Sequence, residues 1–255
     1  MPAVDKHEVG TPTWVDLVTP DLEGAKAFYG GLFGWTFQTG TKEAGFYTMC
    51  QLGGRDVAGM GVKRPEDPGP PRWSIYFETD NVDAFVSRAT QLGGKVVVPP
   101  MDVFDSGRLA FIEDPTGAHF GLWQSRGHHG AQLVGEPGTL VWTDVHTRDA
   151  ARAKDFYKAL LGLAPQSIEN MNYFILNKGD KGVAGVLQMG KELPADLPPH
   201  WMNYFAVDDT DAAAAKVTQL GGHVHVPPTD MPYGRFSVVT DPAGAAFTLF
   251  KPAPM

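Results

Sequence analysis

From Trp14 to Thr19 the chain alternates, with Trp14, Asp16 and Val18 on one face and Val15 and Leu17 on the other. That period predicts a half-buried strand. Behind it the period changes. Leu22, Ala25, Phe28, Tyr29 and Leu32 recur at helical spacing, Asp21 stands at an N-cap position, and Gly34 suits the C-terminal end. Three short strands follow, separated by turn signals such as Asp-Pro-Thr-Gly at 114–117 and Asp-Pro-Ala-Gly at 241–244. The predicted unit is strand–helix–strand–strand–strand. A helix over one sheet face leaves the other free, so two such sheets would curl around a cup, a shape that favours a ligand site.

The unit recurs. Trp14-Val15-Asp16 returns 128 residues later as Trp142-Thr143-Asp144. In the same register Ala25, Phe28-Tyr29, Leu32 and Gly34 meet Ala153, Phe156-Tyr157, Leu160 and Gly162. Trp73, Tyr76-Phe77 and Leu92-Gly93-Gly94 meet Trp201, Tyr204-Phe205 and Leu220-Gly221-Gly222, and Arg108 meets Arg235 after a one-residue slip. A fainter repeat of about 60 residues lies inside each half, where Asp21, Leu32 and Gly34 face Asn81, Leu92 and Gly94. The chain therefore reads as α+β, four βαβββ modules forming two tandem domains with cup-shaped sheets. The first spans 1–126 and the second 137–255, with the polar, Gly-rich stretch 127–136 as linker. Whether modules pair within a half or across the halves is open at this level.

Composition narrows the partners. Twenty-one Lys and Arg against 29 Asp and Glu give a net charge of −8, and no basic run could neutralise a row of phosphates, which argues against a nucleic-acid partner. The single Cys50 excludes an intrachain disulfide and a Cys-built zinc site. No apolar run has the length of a membrane helix and the N-terminus has no signal-peptide core. The expectation is a cytoplasmic protein without membrane association, a monomer or homodimer. No nucleophile elbow, phosphate loop or dinucleotide fingerprint occurs.

The strand, the Ala-x-x-Phe-Tyr helix, the Leu-Gly step and the closing DP-x-G turn together resemble the vicinal oxygen chelate superfamily, which includes glyoxalase I, bleomycin-resistance proteins and extradiol dioxygenases. The resemblance covers nearly the whole chain, twice over. It is especially close to tandem-domain actinobacterial members, some labelled hydroxylase or glyoxalase. It implies a metal site on the inner sheet face, with His, Gln or Glu on the first strand of a module and Glu on its last. Counted from the helix-capping Asp and the DP-x-G turn, the first-strand positions fall on Trp14, Ser74, Trp142 and Met202. The usual Glu of the last strand is replaced by Gly121 and by Thr248. The closing strands of the other modules, 57–61 and 183–187, hold neither carboxylate nor imidazole. A catalytic divalent metal needs about three protein ligands, so no metal and no other cofactor is expected. A rearranged set of Asp16, Glu78 and His119 is the less favoured alternative.

The expected lining is Trp14, Asp16, Ser74, Tyr76, Glu78, His119 and Trp123 in the first half. The second half offers Trp142, Asp144, His146, Met202, Tyr204, Thr248 and Phe250. Aromatic walls with few polar groups suit a flat apolar molecule, unless the Trp side chains simply fill the cup. Asp16, Asp144 and His146 are the candidate acid/base residues, although each Asp could instead be a structural acceptor. Arg108 and Arg235 read as anion binders or, more commonly, strand-end ion pairs. His223 and His225 read as an exposed strand rather than a metal pair, His128 and His129 have no role in the linker, and His200 either caps a strand or lines a rim. The expected function is metal-independent binding, with conversion as a second capability, of an apolar or aromatic small metabolite, as in resistance or secondary-metabolism members. The alternative is a metal-dependent glyoxalase-like lyase or a dioxygenase or hydroxylase.

Overall fold

The computed structural model describes residues 4–253 apart from 65, 66, 68 and 170. The first half runs β1 (Pro12–Thr19), α1 (Leu22–Phe33), β2 (Thr36–Thr39), β3 (Thr48–Leu52) and β4 (Arg55–Val62), then β5 (Arg72–Glu78), α2 (Val82–Gln91), β6 (Lys95–Val103), β7 (Gly107–Glu113) and β8 (His119–Ser125). The second half repeats this order. It comprises β9 (Leu140–Thr147), α3 (Ala150–Leu161), β10 (Ala164–Ser167), β11 (Tyr173–Lys178), β12 (Lys181–Gln188), β13 (His200–Ala206), α4 (Thr210–Gln219), β14 (His223–Met231), β15 (Gly234–Thr240) and β16 (Ala246–Pro252). The Asp21 and Gly34 caps expected of α1 are present and are repeated in α3, whereas α2 and α4 end at Leu92 and Leu220. Asp21, Asn81, Asp149 and Asp209 each accept a backbone N–H from the first turn, and Gly34 and Gly162 close α1 and α3 in the left-handed conformation.

Each half forms its own eight-stranded sheet, ordered β2-β3-β4-β1-β5-β8-β7-β6 and β10-β11-β12-β9-β13-β16-β15-β14. The two modules of a half meet where β1 pairs antiparallel with β5, and β9 with β13. The register sets Asp16 beside Ser74 and Trp14 beside Tyr76. It also sets Asp144 beside Met202, Trp142 beside Tyr204, and His146 beside His200. Module pairing, open in the sequence, is therefore within each half.

The halves are not separate cores. Val15, Leu17, Ile75 and Phe77 turn toward the helices and join one cluster with Phe28 and Tyr29 and with Val145, Phe156, Tyr157, Phe205 and Phe247 of the other half. Each large side chain buried there contributes roughly 1.5–3 kcal/mol. Helix α1 packs on α4 and α2 on α3. The repeated motifs explain this crossing. The Tyr29 hydroxyl accepts from Trp73 Nε1 (2.9 Å) and donates to Asp241 Oδ2 (3.1 Å). Tyr157 likewise accepts from Trp201 (3.0 Å) and donates to Asp114 Oδ2 (2.7 Å). The other oxygen of Asp114 holds its own turn through the N–H groups of Thr116, Gly117 and Ala118. So the Asp of each DP-x-G turn closes its own turn and receives the Phe-Tyr helix of the other half. No helix among the described residues is long and apolar enough to cross a membrane.

Candidate functional site on the helix-free sheet faces

The faces turned away from the helices carry the candidate chemistry. In the first half, Trp14 and Asp16 on β1 and Tyr76 on β5 meet Tyr47, from the loop before β3. Trp14 Nε1 donates to the Tyr47 hydroxyl (2.8 Å), which donates to Asp16 Oδ2 (3.4 Å), while the Tyr76 hydroxyl donates to the same oxygen at 2.8 Å. Asp16 Oδ1 is buried without a partner. Burial is the main cause that pushes the Asp16 carboxyl up to about 6.

In the second half Trp142 Nε1 donates to the Tyr173 hydroxyl at 2.7 Å. Tyr173 and Tyr204 donate to Asp144 Oδ2 at 3.0 and 3.1 Å. Here the second oxygen is used, since His146 Nε2 lies 2.9 Å from Asp144 Oδ1. Its ring sits 5.0 Å, centroid to centroid, from that of His200. His200 Nδ1 lies 2.9 Å from the Pro198 carbonyl. A carbonyl can only accept, so Nδ1 carries the hydrogen and Nε2 is left with a lone pair in the neutral ring. Burial lowers the pKa of His200, which favours that neutral form. Burial, and next to it the Asp144 charge, raise the phenols of Tyr173 and Tyr204, so both remain donors. The arrangement is a carboxylate that orients one imidazole beside a second imidazole, a grouping able to accept and return a proton.

The two faces differ in cover. Residues following β8 lie across the first one. Trp123 Nε1 donates to the His128 carbonyl (3.0 Å), and the His128 ring stands edge-on to Trp14 at 4.4 Å. Ala131 N donates to the Thr13 carbonyl, and His7 Nε2 lies 2.9 Å from the Ala131 carbonyl. Trp14, Tyr76, Trp123 and Ala131 form a small buried cluster. Trp142, Tyr173, Tyr204 and Phe250 on the second face are only half-buried, and Tyr233 beside them is 50% exposed. The stretch expected to be a plain linker is thus a plug for the first face, and His128, given no role by its sequence context, is its central ring.

Other candidates fall elsewhere. His119 is exposed at the start of β8 and pairs with Glu113 at 3.2 Å. Glu78 is buried and takes Ser125 Oγ on both oxygens. Neither joins Asp16, so that rearranged metal set is not assembled. Arg108 bonds Asp83 and Asp102, and Arg235 bonds Asp211 and Asp230, as surface ion pairs. His223 and His225 lie on the edge strand β14. Ser74 and Met202 are buried at the base of their faces. Thr248 is buried with its hydroxyl unpartnered.

The metal positions implied by the resemblance do not fit a divalent ion. A Cβ on Gly59 of β4 would collide with the Tyr47 hydroxyl, and one on Gly121 of β8 with the Tyr76 ring. In the second half a Cβ on Gly185 would collide with the Tyr173 hydroxyl. Tyrosine rings therefore cover the backbone at these strand positions, which hold no oxygen or nitrogen ligand. Among the described residues no three His, Cys, Asp or Glu side chains are grouped to hold an ion. Tyr47 and Tyr173 escaped the sequence reading, yet a signal exists: Tyr47 and Gly59 recur together 126 residues later as Tyr173 and Gly185.

Over its whole length the chain is 44% identical to "Putative glyoxylase CFP32" of Mycobacterium tuberculosis, covering 99% of that protein. It is 38% identical to the anthracycline biosynthesis protein DnrV of Streptomyces peucetius, over 95% of this chain and 93% of that one. Among solved structures, the Mn(II)-bound glyoxalase of Novosphingobium aromaticivorans superposes with a TM-score of 0.67 at 18% identity, covering 95% of this chain and 82% of that one. The 2,3-dioxygenase LapB of Pseudomonas sp. KL28 gives 0.66 at 13%, covering 96% and 93%. These two likenesses carry the fold alone. A family model matches residues 11–122 and again 139–249, and with both halves matched the chain belongs to the glyoxalase/bleomycin resistance protein/dioxygenase superfamily.

Proposed function

We propose that the chain binds a flat, largely apolar aromatic molecule on the helix-free face of the second sheet, without a resident metal. His146, oriented by Asp144, moves a proton on that molecule. One observation carries the reading: Asp144 holds Tyr173, Tyr204 and His146 at once beneath half-exposed aromatic side chains, while the equivalent first face is plugged. The partly buried Trp142, Tyr204 and Phe250 supply stacking surface, and the phenols supply hydrogen bonds to a carbonyl or hydroxyl. The similarity to an anthracycline biosynthesis protein supports a fused-ring ligand. Asp16, with no histidine beside it, has a structural role in this reading.

The alternative of a metal-dependent lyase or dioxygenase draws support from the relatives' names and none from the donor set. Titration with 2-hydroxyanthraquinone separates the two. Wild-type chain purified without an affinity tag should bind it at one site per chain, quench tryptophan fluorescence and shift its absorbance toward the deprotonated phenol. EDTA should change neither signal. His146→Ala should keep binding and lose the absorbance shift. Near-stoichiometric bound metal, or binding lost on chelation, overturns the proposal.

A further inference from the structure

A groove of about 340 Å³ runs between the N-terminal segment and the start of the second sheet. Its apolar wall includes Val134, Val183 and Trp142, and its rim carries Lys6, Lys178 and Lys181. Of the residues used by the second face it shares Trp142 but not Asp144, His146 or Tyr204. The lysines are unusually placed. Lys178 and Lys181 stand directly opposite each other in the β11–β12 hairpin, and like charges in that relation repel. None of the three ammonium groups makes an ion pair among the described residues. Glu8 is the carboxylate of the lining, and Asp180 sits in the hairpin turn between the two lysines. In a chain with 29 acidic residues against 21 basic ones, three lysines without an ion pair among the described residues give this apolar groove a positive rim.

The first half makes the contrast. Its matching β3–β4 hairpin sets Leu52 opposite Arg55, and the cleft there mixes Arg55 with Asp5, Asp56, His128 and His129. There two carboxylates stand against one guanidinium, whereas three ammonium groups stand against Glu8 in the other groove, so the excess of positive charge is at the second site.

We propose that this groove is a binding site for an amphipathic anion, an apolar or aromatic body carrying a carboxylate or phosphate. The body lies against Trp142, Val134 and Val183, and the anionic head meets Lys178 and Lys181 with Lys6 closing over it. The groove shares Trp142 with the proton-moving face, but its lysines lie apart from Asp144 and His146, so the preference for an anion is separate from proton transfer. Its size suits a bicyclic body rather than a macromolecular segment.

Calorimetric titration tests it with three probes, 2-naphthoate, 2-naphthyl phosphate and the uncharged 2-naphthamide. At low salt both anions should bind about tenfold tighter than the amide, the effect of two or three partly exposed charge pairs. Salt at about 0.3 M should shrink that gap, because exposed charges are screened. Lys178→Gln with Lys181→Gln should erase the preference, and His146→Ala should leave it intact. A larger preference for the phosphate assigns the head as a phosphate ester, and equal or better binding of naphthoate assigns a carboxylate. The proposal is overturned if amide and anions bind alike. It is equally overturned if the anion preference survives the double lysine substitution or disappears in His146→Ala. Loss of the fluorescence response to 2-hydroxyanthraquinone alone would instead count against the function proposed for the second face.

Discussion

Asp16 and Asp144 occupy equivalent strand positions, each beneath a Trp–Tyr pair and each accepting a second tyrosine on Oδ2. Their neighbours differ: Ser74 stands opposite Asp16 and Met202 opposite Asp144, and the next pair along the same face differs as well. Val18 and Arg72 pair beside Asp16, whereas His146 and His200 pair beside Asp144. Two imidazoles beside the second carboxylate make a grouping chemically able to accept and return a proton, and the first carboxylate has none beside it on these strands. The covers differ too: residues after β8 lie over the face whose strands carry no histidine beside the Asp, whereas Trp142, Tyr173, Tyr204 and Phe250 on the other face are only half-buried. Under the function proposed above, the first half serves as scaffold and the second presents the ligand face.

Tryptophan truncation probes that contrast with the largest effect. Trp14 is 5% exposed under the plug, so Trp14→Ala should cost about 3–5 kcal/mol in urea denaturation. Trp142→Ala, at a half-exposed site, should cost clearly less while abolishing aromatic-ligand binding. Equal costs would mean that both faces are closed.

Titration of the first carboxylate comes next. Free Asp titrates near 3.8 and Asp16 at about 6, so between these values the native state holds more protons than the unfolded chain. Stability then falls as pH rises from about 4 to 6, by about 3 kcal/mol at most, and the cost persists above that window. Denaturation curves of Asp16→Asn should lack this slope. A slope unchanged by the substitution would show that Asp16 is solvated and the plug open.

The smallest effect sharpens the role of the plug. His128→Ala removes edge-on ring contacts to Trp14 and Trp123, each worth about 0.5–1.5 kcal/mol, and should make Trp14 accessible to acrylamide quenching. Unaltered quenching would mean that Ala131 and the backbone bonds seal the face without the ring.

Much of this molecule is legible in its residues. Caps at Asp21 and Asp149 and the Phe-Tyr helix pattern are local signals, because each depends on neighbours within a turn or two of chain. Repetition made them firmer still, since every element could be checked against its copy. The Trp and Gly at the expected metal positions were equally plain, yet their physical reason was not. Tyr47 and Tyr173 reach over a bare glycine on an adjacent strand, a close approach fixed by the cross-strand register rather than by neighbours in sequence. His128 carried no periodic or motif signal, because its partner Trp14 is more than a hundred residues away.

The sequence by itself determined the duplication, the order of elements, the superfamily resemblance and the two Trp-Asp strands. The duplication, the order of elements and the Trp-Asp strands follow from spacing along the chain, and the resemblance from the motifs that carry it. Only the tertiary structure decided that modules pair within a half, that the two halves share one core through Tyr29 and Tyr157, and that one face is sealed. Each of these depends on contacts between distant segments whose competing pairings look alike in sequence, and packing and hydrogen-bond satisfaction choose among them.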